Sequence, residues 1–254
     1  MKTHQLWLKQ ITKLGFLLMV GVSMNADAGL FGFGGASWKE EVLLHDGSKI
    51  IVERTVERGG RHEIGQEPPI KEQSLSFILP GTNQNVTWKD KFNADVGGAS
   101  FLPMQLEIHK DTPYLVVYPM GCFSYNKWGR PNPPYVVFKY QDKAWQRIPL
   151  QDLPAELTTP NLIFSSPDSE AKKTGQRIVS AETIKALYGG YKQPEHKAIL
   201  REALKPRWDS LTACPIPTGP DGKPINTGPD GKPLSNKSGT PASNSQQNGM
   251  SRGK

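Results

Sequence analysis

The chain has very little cysteine, no long apolar run and no compact set of metal-ligating residues, and each shortage removes a class of function. Its two cysteines, Cys122 and Cys214, stand far apart, so the close pair of a structural zinc site is missing. His45, His62, His109 and His196 share no zinc-ligand spacing, and neither a metal nor another cofactor is expected. Hydrolysis by an activated serine would want a Gly-x-Ser-x-Gly elbow, and none is present. No catalytic residue can be named. The apolar run Leu14 to Met24 is too short to cross a bilayer, which takes about 20 residues.

What is present begins with an export signal. Lys2, Lys9 and Lys13 precede that run, and Ala26-Asp27-Ala28 fits a small-x-small cleavage pattern ahead of Gly29. The alternative is an uncleaved anchor. No cysteine follows the run, so the usual lipid-bearing residue of a lipoprotein is absent, and the membrane is met only during export. The expected location is the bacterial periplasm or the medium. An even number of cysteines in an exported chain favours a Cys122–Cys214 disulfide over two unpaired thiols.

The net charge of +7 divides unevenly. Residues 1–28 carry three basic and one acidic residue and residues 215–254 carry five and two, which leaves +2 on the intervening chain. Such a charge is no nucleic-acid footprint, and no nucleic-acid partner is expected.

Between the termini the pattern is that of short strands. Trp38–Leu44 and Lys49–Val56 flank Asp46-Gly47, a hairpin signal. A two-residue turn there pairs Val42 with Ile51 and Leu43 with Ile50, and sets Glu40 against Glu53 and Lys39 against Arg54, a repulsive register at the far end. Gln73–Leu79 and Asn85–Lys89 follow. Alternation places Met104, Leu106 and Ile108 on one side of a strand and Gln105, Glu107 and His109 on the other. Tyr114–Tyr118 is apolar throughout, as in a strand buried on both faces, and Tyr135–Tyr140 and Ala144–Leu150 make a second hairpin around Gln141-Asp142-Lys143. Eight short strands predict a mainly β fold: an antiparallel sandwich, a barrel or a strongly bent sheet.

Two short helices are expected to pack on it. Ser180 caps Ala181–Tyr188, and a second helix runs from Glu195 to Leu204 before Pro206. The domain spans 36–213, preceded by a Gly/Phe-rich leader at 29–35. From 215 the chain is a basic tail in which Thr218-Gly-Pro-Asp-Gly-Lys-Pro recurs from Thr227, with too little apolar surface to fold.

The polar stretch Glu57 to Glu72, with His62, reads as a surface loop. The segment Phe123 to Tyr135 is richer. Phe123, Tyr125, Trp128 and Tyr135 alternate with Lys127 and Arg130, and prolines limit its freedom. Flat rings beside directional polar groups suit a sugar ring or a peptide, so these six residues are the ligand-binding candidates. The expectation is a non-enzymatic envelope protein that binds or scaffolds a glycan, peptide or protein. The alternative is a secreted hydrolase acting on envelope polymer, which would need two facing carboxylates in a cleft, near Glu107 or in the Glu57–Glu72 loop.

Overall fold

A computed structural model describes residues 35–218. The expected export signal, the expected leader up to Gly34 and the repeat-bearing segment from 219 lie outside the described residues. Within them the chain forms two four-stranded antiparallel sheets, each a meander in which every strand pairs with its sequence neighbour. The first holds β1 (Gly35–Leu43), β2 (Lys49–Arg58), β3 (Ile70–Ile78) and β4 (Asn85–Asp90). The second holds β5 (Phe101–His109), β6 (Thr112–Pro119), β7 (Val136–Gln141) and β8 (Ala144–Ile148). They face each other as a sandwich across Val42, Val52, Leu75, Phe77, Val86 and Trp88 on one side and Phe101, Leu106, Leu115, Val117, Val136 and Phe138 on the other.

Sheet one is buried on one face only, and its buried face is not wholly apolar. Glu40, Arg54, Gln73 and Asp90, one from each strand, all point inward. Glu40 accepts from the Trp38 indole, from Arg54 Nη1 at 3.0 Å and from the Ile163 amide at 3.0 Å, while Arg54 also donates to the Ile163 carbonyl. Asp90 Oδ2 accepts from the amides of Ser100 and Phe101, both at 2.8 Å, and from Gln73, which also reaches the Phe101 carbonyl. Burial raises the Asp90 pKa to about 6 against those lowering hydrogen bonds.

The first hairpin is shifted by one residue from the expected register. Val42 faces Ile50, Lys39 faces Glu53 and Glu40 faces Val52, so the predicted like-charge pairs do not form. The turn explains the shift. Asp46 binds the Ser48 amide and hydroxyl, Leu44 N–H reaches the Ser48 carbonyl, and Gly47 takes φ +86°, so the connection is longer than two residues.

Sheet two is buried on both faces along β5, β6 and the first half of β7, while β8 is largely exposed. Along β6, Leu115 and Val117 enter the sandwich core while Tyr114, Val116 and Tyr118 enter a second core under the C-terminal layer. A bulge between Pro103 and Gln105 breaks the expected alternation of β5 and sends Met104 to that second core, apart from Leu106. The second core is closed by Leu157, Ile163, Phe164, Ile184, Tyr188 and Ile199. These come from a layer that includes α2 (Pro167–Thr174) and α3 (Ala181–Tyr188), the latter capped by Ser180 Oγ on the Thr183 amide as expected.

The second expected helix is cut short. It covers only Pro194–Lys197, α4, and the chain is extended from Ala198. The Tyr135 hydroxyl lies 2.7 Å from the Glu195 carbonyl and 2.8 Å from that of Ala198, and Ile199 N–H reaches the Thr158 carbonyl, so tertiary partners replace the helical ladder. A helix not anticipated in the 123–135 stretch, α1 (Gly121–Lys127), follows β6. Its Cys122 is joined to Cys214.

Candidate binding cleft

Helix α1 decides what becomes of the aromatic stretch. Helical spacing turns Tyr125 and Trp128 toward the protein and leaves Phe123 outside. Phe123 is 76% exposed, whereas Tyr125 and Tyr135 are each 2% exposed and have no free face for stacking. Trp128 packs against Phe101, with ring centroids 4.5 Å apart, and against Phe138. Its indole N–H is buried without a partner among the described residues.

The two basic candidates are also committed. Lys127 binds Asp95 at 2.5 Å and Asn93 at 2.8 Å, pinning the loop before β5. Arg130 lies over the Tyr125 ring and donates to Asn126 and to the carbonyls of Cys214 and Pro215. It latches the C-terminal segment beside the disulfide. The six candidates therefore share one neighbourhood but do not form one stacking surface.

Beside them lies a concave site. A cleft of about 450 Å³ is lined by Pro131, Asn132, Pro133, Tyr135, Val136 and Val137 from one segment and Arg147, Ile148, Pro149, Leu150 and Gln151 from another. Pro131 and Pro133 come from the stretch singled out in the sequence; Arg147 comes from β8 and is not among the residues expected there. Asn132 is occupied by both backbone groups of Leu204, which leaves Arg147 and Gln151 as the polar groups available to a ligand.

Arg147 is the unusual member. Its guanidinium lies over the Trp128 ring, 5.5 Å from the centroid, and donates to the Trp128 carbonyl at 3.1 Å. No carboxylate bears on it among the described residues; partial desolvation lowers its pKa although the residue is exposed, and a guanidinium stays charged under such a shift. Arg54, Arg58 and Arg207 by contrast each have an acidic partner.

Two other places carry chemistry-bearing side chains. A cleft of about 550 Å³ between β1, Glu67 and α2 contains Arg58, which grips Asp168 bidentately at 2.7 and 2.6 Å and also meets Glu67 at 3.3 Å. Burial raises the Asp168 pKa, but the hydrogen bond and charge of Arg58 outweigh it and hold the group below the ordinary carboxylate value. At the opposite end, Glu107 is buried beneath His45, accepting from its amide and lying 3.0 Å from its Nδ1, with Asn161 on the other oxygen. Burial there raises the Glu107 pKa. His109 stacks near His45 and lies 3.4 Å from Glu156.

Among the described residues no group of three His, Cys, Asp or Glu side chains could hold a metal ion. None of their helices is long and apolar enough to cross a membrane. No family model, no curated protein and no solved structure matches the chain.

Proposed function

We propose that this chain is an exported, non-enzymatic binding module of the bacterial envelope, retained in the periplasm or secreted, which takes its ligand in the Pro131–Gln151 cleft. The observation that carries the reading is Arg147: a residue lining a cleft that prolines help to wall, its guanidinium over Trp128 and without a carboxylate partner among the described residues. Such a group is suited to a carboxylate on a glycan, a peptide or a protein surface. The prolines limit the ordering cost of binding. The Cys122–Cys214 disulfide agrees with an oxidising compartment, and the sequence of residues 1–28 with export.

The hydrolase alternative has less behind it. Of its two expected acids, Glu107 spends both oxygens on His45 and Asn161 and lines neither cleft described above. In the other cleft Glu67 and Asp168 both meet Arg58, which holds the Asp168 carboxyl below its ordinary value, whereas a general acid needs its proton kept.

Two measurements test the reading. Intact mass after cell fractionation and alkylation is expected to show a soluble envelope form beginning at Gly29 with both cysteines protected; a membrane-bound form retaining Met1 overturns the export. Amide NMR shifts on adding envelope glycan fragments and short acidic peptides are expected at Asn132 and Gln151. Arg147→Ala should weaken carboxylate ligands about tenfold. Shifts confined to other surfaces would overturn the cleft as the site.

A further inference from the structure

We infer that the ligand of this cleft is an extended, carboxylate-bearing peptide that adds to β8 as a fifth strand of sheet two. The inference rests on the cleft being the binding site and specifies what occupies it.

The first support is the state of the sheet edges. The edge of β1 is bridged by Val179, whose amide and carbonyl bond Lys39 and Glu41 at 2.9 and 2.8 Å. The edge of β5 is closed by Asn161 and Leu162, and at β4 the Thr87 carbonyl takes the Trp145 indole at 3.0 Å. The edge of β8 receives no backbone or side-chain hydrogen bond from any described residue.

The second support is which groups that edge presents. Asp142 and Lys143 both have positive φ, 52° and 61°, so the β7–β8 turn is a two-residue type I′ turn with Gln141 opposite Ala144. In such a hairpin the residues flanking the turn form a hydrogen-bonded pair, and bonding then alternates. Ala144, Gln146 and Ile148 therefore direct their N–H and C=O to β7, while Trp145 and Arg147 direct theirs outward.

The third support is that Arg147 combines the two features. Its backbone belongs to the open ladder, and the residue itself lines the cleft with its guanidinium over the Trp128 ring. A strand pairing with Trp145 and Arg147 would gain main-chain bonds from the edge and bring an acidic side chain or chain end to the guanidinium. Lys139, Lys143 and Arg147 against Asp142 make the hairpin basic, which complements an acidic peptide. A glycan has no alternating N–H and C=O array and would leave this ladder unused.

The test uses the mature, isotope-labelled chain and the blocked peptide acetyl-Thr-Val-Glu-Val-Thr-amide, with its Gln counterpart and a form methylated on alternate backbone nitrogens. The Glu peptide is expected to slow amide exchange at Trp145 and Arg147 by about tenfold or more. The Gln peptide should bind about tenfold more weakly, and the methylated form should not bind. In Arg147→Ala the preference for Glu over Gln should vanish while protection at Trp145 persists, separating side-chain from backbone recognition. Shifts at Asn132 and Gln151 without protection at Trp145 and Arg147 would refute strand addition and leave the cleft reading intact. A response to glycan fragments alone would do the same, and no response to any ligand would refute both. Protection that grows with protein concentration in the absence of peptide would assign the edge to a second copy and overturn the peptide.

Discussion

The two edges of sheet two are treated in opposite ways. At β5 the amides of Asn161 and Leu162 reach the Met104 carbonyl, and the Asn161 side chain takes both backbone groups of Leu106 and the Leu43 carbonyl of the facing sheet. At β8 nothing comparable occurs among the described residues, and three of its five residues are exposed. The difference follows from solvent. Buried backbone groups must be paired within the protein, whereas groups in contact with water need no internal partner. Closure at β5 thus serves stability, and openness at β8 leaves hydrogen-bonding capacity for another molecule.

The contrast can be attacked in order of size. Removing the staple should cost most, because the disulfide ties the layer that closes β5 back to α1. Cys122→Ala/Cys214→Ala is expected to lose roughly 4 to 5 kcal/mol on the chain-entropy account, read from urea unfolding. A loss below about 1 kcal/mol would mean the layer holds itself. Next comes Asn161→Ala, expected to lose about 3 kcal/mol because it strands buried backbone groups on β5 and β1 at once. If it unfolds no more easily than a surface variant, β5 is not held shut by this residue.

Asp90, which fastens the start of β5 through Ser100 and Phe101, gives the third test. Its pKa is raised from 3.8 to about 6 in the folded protein, so the native state binds more protons than the unfolded chain between those values. Stability contributed by this group is therefore lost as pH rises from about 4 to 6, by of order 1 to 3 kcal/mol. Asn can keep its oxygen where Oδ2 accepts, so Asp90→Asn should flatten this part of the pH profile; parallel curves for the two proteins would show that Asp90 is not the cause. The smallest effect belongs to the open edge itself. Gln146→Ala should stay within about 0.5 kcal/mol of the parent, and a larger loss would mean that β8 is covered after all.

The same division marks what the sequence discloses. All eight strands are visible in it because period-two patterns and turn residues report on local structure, and Tyr114–Tyr118 even announces burial on both faces. Glu40, Arg54, Gln73 and Asp90 mislead for the opposite reason: polar residues at inward positions look like a solvent face until their partners, up to 123 positions away, are known. The shift of the first hairpin hides in Asp46 and Ser48, and the Met104 inversion in a bulge that alternation alone does not reveal.

At the site, the prolines were legible and the rings were misleading. Reading 121–127 as a helix would have set Tyr125 and Trp128 on one side at a three-residue spacing and put Phe123 elsewhere. Arg147 carries no local signal at all. Its significance depends on the absence of a carboxylate, which only the assembled structure can establish.

The meander order of the sheets has a consequence for how the chain reaches this state. Every ladder joins strands adjacent in sequence, β1 to β4 and then β5 to β8, so the strand pairings close short loops and contact order within each sheet is low. A chain emerging N-terminus first can complete sheet one, then sheet two, without waiting for a distant strand. Only the last layer must travel far, from Asn161 back to Leu43 and from Cys214 back to Cys122. Cys214 follows every strand of the described residues, so during such emergence oxidation has to wait for the segment that carries it and cannot trap a half-made sheet.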